Sequence, residues 1–391
     1  MKDLRQGLRK RQAQSLYRSR RITESPQQPL MRIDGREVIS FCSNDYLGLA
    51  NHPAIVKAFC QAASEFGVGS GAAHLINGHS RYHHELEEAL AEFTGYPRCL
   101  LFSTGYMANL GVVQALMEPG DAIFADRLNH ASLLDGALLS RARLQRYPHN
   151  DVAVLDQRLA ASKANDKLIM TDGVFSMDGD IAPLSQLAAL ANTHDAWLMV
   201  DDAHGIGVLG KQGRGTMEAA SLTPNDIPIL MGTLGKAFGV AGAFVAGSED
   251  LIEHLIQTAR SYIFTTAMPA AAAAATLASL EIVKQAEDRR RYLHGLVRYF
   301  RQQAGQLDLV LLESSTAIQG IVFGSNQAAT QMSEQLFEAG FLVTAIRPPT
   351  VPEGTARLRL TLSASHDREQ IDRLLEAVGR LVADGKTIGG G

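Results

Sequence analysis

The chain has 391 residues, 46% of them hydrophobic and 20% charged, with a formal net charge of −4. That is ample apolar material for a large core, so wholesale disorder is excluded. Aromatic residues make up only 6%, which with the mildly acidic balance argues against a dedicated nucleic-acid binder.

Charge is unevenly placed. Between positions 2 and 21 eight basic residues stand against Asp3 alone. This stretch reads as a solvated helix or as an arm that meets an anion, and no apolar core follows that would make it a secretory signal. Next, Asp34-Gly35 between apolar runs at 31–33 and 38–41 predicts a β-hairpin closed by a primed turn. Strand-like runs follow at 99–102, 122–125, 168–171, 197–200, 229–231 and 243–246, with helical periods at 85–93, 107–117 and 184–192. Short apolar runs alternating with helices predict an α/β fold built on a mostly parallel sheet covered on both faces.

The run 261–280 is uncharged and as long as a membrane span. Pro269, scattered Ser and Thr and many alanines make it a poor one, and a buried helix of small side chains is expected. Beyond it, a charged helix at 281–301, strands at 318–323, 342–346 and 357–361, and helices at 327–339 and 367–382 predict a smaller α+β domain. The glycine tail 389–391 reads as frayed. The expected division is an N-terminal arm and hairpin at 1–40, a large α/β domain at 41–285 and a small domain at 286–391. Cys42, Cys60 and Cys99 are widely spaced and form no Cys-x-x-Cys pair, which suits a reducing, cytoplasmic setting without disulfides.

Ligands of open α/β sheets sit beyond the carboxyl ends of the strands. Five expected strand ends deliver polar or glycine-rich segments there: Ser103-Thr104-Gly105-Tyr106, Asp126 to His130, Asp172 to Ser176, Asp201-Asp202-Ala203-His204 and Gly232-Thr233-Leu234-Gly235-Lys236. Other patterns fall short. Gly210-Lys211 is followed by Gln212, which removes the magnesium ligand of a phosphate loop, and the glycines at 67–71 precede the first sheet strand. His74, His79, His83 and His84 cluster, but no cysteine pair or His-Glu-x-x-His motif accompanies them, so no metal is expected. Gly-x-Ser-x-Gly is absent.

Asp201 closes an apolar strand, where a carboxylate is costly unless paired, and Lys236 follows among glycines. A confined lysine with an acid available for a pyridinium nitrogen is what pyridoxal phosphate needs. The helix start at Gly105-Tyr106 offers N–H donors to its phosphate, and Thr233 adds a hydroxyl.

Six segments together resemble the α-oxoamine synthase family: Asn44-Asp45-Tyr46-Leu47-Gly48-Leu49, Ser103 to Asn109, Asn129-His130-Ala131-Ser132, Gly173 to Asp180, Val200 to Gly205 and Gly235-Lys236-Ala237-Phe238-Gly239. The resemblance covers roughly positions 35 to 385. It implies the aspartate-aminotransferase-like fold (fold type I), pyridoxal 5'-phosphate and a homodimer with active sites at the interface. The activity implied is decarboxylative condensation of an amino acid with an acyl thioester. Ala345 to Pro352, followed by Ala356-Arg357-Leu358-Arg359, resembles the branch that joins L-alanine to pimeloyl-CoA or a pimeloyl carrier protein in biotin biosynthesis. His74 stands where other branches usually carry arginine. Alternatives are a related synthase using glycine or serine with another acyl chain, an aminotransferase of the same fold, or a non-catalytic dimer partner. The last is disfavoured because Lys236 is present.

Carried over residue by residue, Lys236 would be the Schiff-base lysine, Asp201 the pyridinium partner, and His130 a ring stacked on the cofactor that also donates to the thioester oxygen. Ser176 and His204 would flank the ring hydroxyl, and Gly105, Tyr106 and Thr233 would hold the phosphate, with Thr265 or Thr266 reaching the other subunit's. Arg347 would grip the alanine carboxylate, Asn44 would assist from across the interface, and Thr350 would touch substrate. Arg18, with Arg20 or Arg21 as substitutes, would meet the distal carboxylate of the pimeloyl chain.

Overall fold

The computed structural model describes residues 4–307, 309–383 and 385, so the glycine tail lies outside the described residues. The chain divides into two compact units. The first is made of Met1–Gly48, Met177–Asp180 and Arg291–Gly391, and the second of Leu49–Ser176 and Ile181–Arg290.

In the first unit the helix Leu4–Ala13 buries none of its residues, as its basic composition predicts. The hairpin β1 (Leu30–Ile33) and β2 (Arg36–Ser40) follows, antiparallel in register Ile33↔Arg36. Its turn places Asp34 at φ 50° and Gly35 at φ 75°, the left-handed pair that an Asp-Gly primed turn requires.

The second unit is built on a seven-stranded sheet. Its strands are β3 (Arg98–Phe102), β4 (Ala122–Asp126), β5 (Arg143–Tyr147), β6 (Lys167–Asp172), β7 (Trp197–Asp201), β8 (Ile229–Thr233) and β9 (Ala243–Gly247). They lie in the order β3-β9-β8-β7-β6-β4-β5. Five neighbours from β8 to β5 run parallel, and β9 is antiparallel to both β8 and β3. Strands β4 and β9 are buried along their whole length, which is why they read as unbroken apolar runs. The apolar pattern passes over β5 because Arg-Leu-Gln-Arg-Tyr is largely polar; it pairs only with β4, and charge on such an edge deters further pairing. Against the sheet pack helices Gly105–Leu116 and Ala131–Ser140, with Val112, Leu133 and Ala137 fully buried.

The uncharged run 261–280 is not one helix. A short helix Arg260–Ile263 precedes Pro269, and only then does Ala270–Lys284 begin, burying Ala270 through Ala275. Proline suits that boundary because it cannot supply an interior N–H. Among the described residues no helix is long and apolar enough to cross a membrane. The charged helix expected at 281–301 is likewise interrupted: one helix ends at Lys284, and Glu287–Ala304 starts afresh with two acids in its first turn, where the helix dipole favours them.

Back in the first unit, β10 (Ile318–Gly324), β11 (Phe341–Leu342), β12 (Thr344–Ile346) and β13 (Ala356–Thr361) complete the strands. They form two small sheets, β10-β13-β12 and β1-β2-β11. The single strand expected at 342–346 therefore splits at the buried Val343, and each half joins a different sheet. Cys42, Cys60 and Cys99 are all free thiols.

Candidate active site

Three parallel strands of the second unit end in buried aspartates, and each is handled differently. Asp126 is consumed structurally, accepting the N–H of Leu128 and of Asn150, both at 2.8 Å, and facing His149 Nδ1 at 3.0 Å. Asp172 accepts the His130 N–H at 2.7 Å, and burial together with the neighbouring Asp201 holds its carboxyl well above the usual range. Asp201 takes the Ala203 N–H on Oδ1 at 3.0 Å and the Asn109 Nδ2 on Oδ2 at 2.7 Å. Neither of these two partners of Asp201 is a side-chain cation.

Lys236 lies in the loop after β8, with Nζ 2.9 Å from His204 Nε2. The two glycines of its motif are not equivalent. Gly239 has φ +69°, and a Cβ there would lie 2.5 Å from Ala50 N and 2.6 Å from Leu49 C, so the loop is clamped against backbone. A Cβ on Gly235 would meet nothing closer than 3.9 Å. At the head of the loop Thr233 Oγ1 donates to the Gly242 carbonyl at 3.1 Å.

Thr104 caps the helix Gly105–Leu116 by accepting the Met107 N–H at 3.2 Å. The first N–H groups of a helix have no acceptor within it, and those of Gly105 and Tyr106 stand at this end. The Tyr106 hydroxyl donates to the Asp135 carboxylate. His130 caps the next helix, Ala131–Ser140, and its ring meets that of Tyr106 edge-on at 6.5 Å. The residue is exposed, yet protein crowds its ring: desolvation holds the imidazole below its ordinary pKa, against the pull of Asp201 toward the charged form. Ser176 and Thr265 are half-buried and Thr266 is exposed, its carbonyl accepting the Ser103 hydroxyl at 3.2 Å.

The remaining expected residues belong to the first unit. Arg18 Nη2 donates to Thr350 Oγ1 at 3.5 Å. Arg347 donates to the Ser15 carbonyl and, at 3.3 Å, to Thr330 Oγ1. Burial and then the nearby Arg18 hold its guanidinium below its ordinary pKa. Asn44 Oδ1 accepts from Arg359 Nη2 at 3.3 Å.

Two residues that motif reasoning quotes but gives no role, Asn109 and Ser132, are fully buried beside Asp201 and His130. Polarity on a buried helix face is their one local mark, and Ser140 shares it on the same face as Ser132, so the pattern alone does not single them out. The histidine cluster, in contrast, is internally satisfied in part. His74 Nδ1 and His79 Nδ1 are 2.9 Å apart, and the His74 ring stacks on Tyr262. Burial, with His83 and His79 adding to it, pushes His74 down to about 3. His83 accepts the Ser80 N–H on Nδ1 and donates from Nε2 to the Met268 carbonyl.

The donor set fits pyridoxal phosphate on chemical grounds. It offers an amine held beside an imidazole, a buried carboxylate whose neighbours are neutral donors, and N–H groups at a helix start for a phosphate. Sheet, crossover helices and lysine loop define a fold type I pyridoxal-phosphate enzyme. The model for class I and II aminotransferases matches residues 36–378. The 8-amino-7-oxononanoate synthase of Thioalkalivibrio sulfidiphilus is 58% identical over 390 residues, covering 100% of both chains. That of Nitrosococcus oceani is 61% identical over 371 residues, 95% of this chain and 98% of its own. Among solved structures, a serine palmitoyltransferase variant from S. paucimobilis with bound PLP–myriocin aldimine has a TM-score of 0.93 at 32% identity, covering 98% of each chain. The chain belongs to the 8-amino-7-oxononanoate synthase family.

Proposed function

We propose that this protein condenses L-alanine with a pimeloyl thioester, releasing carbon dioxide and the free thiol and forming 8-amino-7-oxononanoate for biotin biosynthesis. The observation that carries this reading is the Lys236 amine 2.9 Å from His204 Nε2, in the loop that follows β8, beside the strand that Asp201 ends. When bound, pyridoxal phosphate supplies the electron sink that makes an amino-acid Cα acidic enough to act as a nucleophile.

The chain's own groups do the rest. Lys236 would hold the cofactor and would move the Cα proton at Nζ, with His204 orienting the amine. Asp201 would meet the pyridine nitrogen, its own partners being a backbone N–H and an amide. Gly105 and Tyr106 N–H groups hold the phosphate with Thr233, and Thr265 or Thr266 reaches the phosphate of a second copy. His130 would stack on the ring, while Ser176 and His204 would flank its hydroxyl.

Arg347 binds the alanine carboxylate, a task that suits a guanidinium fork. Arg18 binds the distal carboxylate of the acyl chain, Thr350 lies against substrate and Asn44 assists across the interface. The mutual repulsion of Arg18 and Arg347 supports a patch built for anions. The working form is a homodimer in the cytoplasm. Val68, Ile76 and Phe264, 87%, 78% and 71% exposed, support a surface that a second copy covers. Three free thiols suit a reducing compartment.

Turnover of paired substrates tests the reading. L-Alanine with pimeloyl-CoA or a pimeloyl carrier protein gives the amino-oxo acid and carbon dioxide, and glycine with acetyl-CoA is at least ~100-fold slower in kcat/KM, a difference of about 2.7 kcal/mol in transition-state binding. Faster turnover of glycine or serine with another acyl chain, or a half-reaction that yields pyridoxamine phosphate, would overturn it.

A further inference from the structure

We propose that Asn109 and Ser132 form a one-way hydrogen-bond relay from Asp201 that fixes His130 as the Nε2–H tautomer, a donor at that nitrogen. The catalytic use of that donor rests on the function proposed above; the tautomer itself does not.

The relay is read from its polarity. Asn109 Nδ2 lies 2.7 Å from Asp201 Oδ2 and 2.8 Å from Ser132 Oγ. Ser132 Oγ lies 2.7 Å from His130 Nδ1, and the Ser132 N–H points to the same nitrogen at 3.3 Å. A carboxylate accepts, so the amide turns its NH2 toward Asp201 and has its second hydrogen left for Ser132. The serine oxygen then accepts from Asn109 and donates its own proton onward to Nδ1. The backbone N–H at Nδ1 can only donate; at 3.3 Å it is the longer of the two bonds, and it supports the same direction without fixing it alone. The imidazole proton is thereby placed on Nε2.

Burial makes the direction binding. Asn109 is 0% exposed, Ser132 1% and Asp201 4%, so solvent cannot supply alternative partners. The Asn109 amide even forgoes an acceptor bond, since its Oδ1 has no hydrogen-bond partner among the described residues. Turning the amide over would set that oxygen against the carboxylate and reverse every bond downstream. Imidazole tautomers are set in this way by the bond that the other nitrogen makes.

The relay gives His130 a defined part in the proposed condensation. A proton on Nε2 with Nδ1 engaged by the protein makes the ring a hydrogen-bond donor toward oxygen charge developing on the thioester, not a base. Asn109 and Ser132 are positioning residues: they act through His130 and Asp201.

Ring-nitrogen NMR of the cofactor-loaded full chain, labelled with ¹⁵N-histidine, reads the tautomer directly, His130 being assigned by the resonance lost in His130→Asn. The expected result is a protonated Nε2 and an unprotonated Nδ1. Ser132→Thr retains this signature. Ser132→Ala keeps the fold and cofactor content but populates the second tautomer, and lowers kcat by about tenfold while the alanine KM changes by less than about twofold. An Nδ1–H or doubly protonated His130 in the unmodified chain would overturn the relay, as would a Ser132→Ala variant with an unchanged tautomer and kcat. If the enzyme preferred another thioester while the NMR signature held, the substrate reading would fall and the relay would stand.

Discussion

Asp201 and Asp202 are adjacent in the chain but have opposite surroundings. Asp201 is met by two donors, whereas Asp202 takes the Thr216 N–H on Oδ2 at 2.8 Å, and its Oδ1 has no hydrogen-bond partner among the described residues. Burial is the main cause that pushes the Asp202 carboxyl up to about 7, from 3.8. In the folded chain it keeps a proton that the unfolded chain has lost, so its contribution to stability is full below pH 3.8 and lost as pH rises through about 7. Asp202→Asn retains an acceptor for Thr216 and cannot ionise. Its melting temperature relative to the unmodified chain should therefore rise between pH 5 and pH 8, by a few degrees for ~1–3 kcal/mol. A difference independent of pH would show that Asp202 is not buried as a neutral acid.

The same scale separates what could be read in the sequence from what could not. Lys236 and Asp201 stand out because each follows an apolar strand and carries a charge with no local reason for it. Asn109 and Ser132 do not, because what they do depends on partners 92 and 23 positions away. Only folding brings those together.

The element that carries Lys236 illustrates how far local pattern reaches. Glycines around a lysine suggest close backbone approach, yet of Gly235 and Gly239, the two that flank it in the motif, the second alone is sterically obliged to be glycine. Its overlap would be with the backbone at Leu49 and Ala50, which no rotamer change relieves, and its φ is left-handed. Gly239→Ala should cost ~2–4 kcal/mol and reduce bound cofactor, whereas Gly235→Ala should stay within ~1 kcal/mol of the unmodified chain. Chemical denaturation with the cofactor absorbance per protein measures both; equal losses would mean the clamp is not what shapes the loop. Elsewhere, central strands were legible because burial on both faces leaves an apolar run. Strand β5 was not, since an edge tolerates arginine, and the breaks at Val343 and after Lys284 interrupt patterns that read as continuous.

For the whole molecule, composition foretold a large core, which the buried residues form. The residues proposed for the cofactor all lie in the second unit, while those proposed for the substrates, Arg18, Asn44, Arg347 and Thr350, all lie in the first. The basic arm extends from a helix with no buried residue to Arg18 beside Thr350, and the anion it would meet belongs to the proposed function. Everything in this chemistry depends on one lysine. Borohydride reduction of the cofactor-saturated protein, followed by peptide mapping, fixes pyridoxal phosphate to the lysine that holds it. The adduct should map to Lys236 and vanish in Lys236→Ala with the fold retained; an adduct on another lysine, or on none, would contradict the assignment.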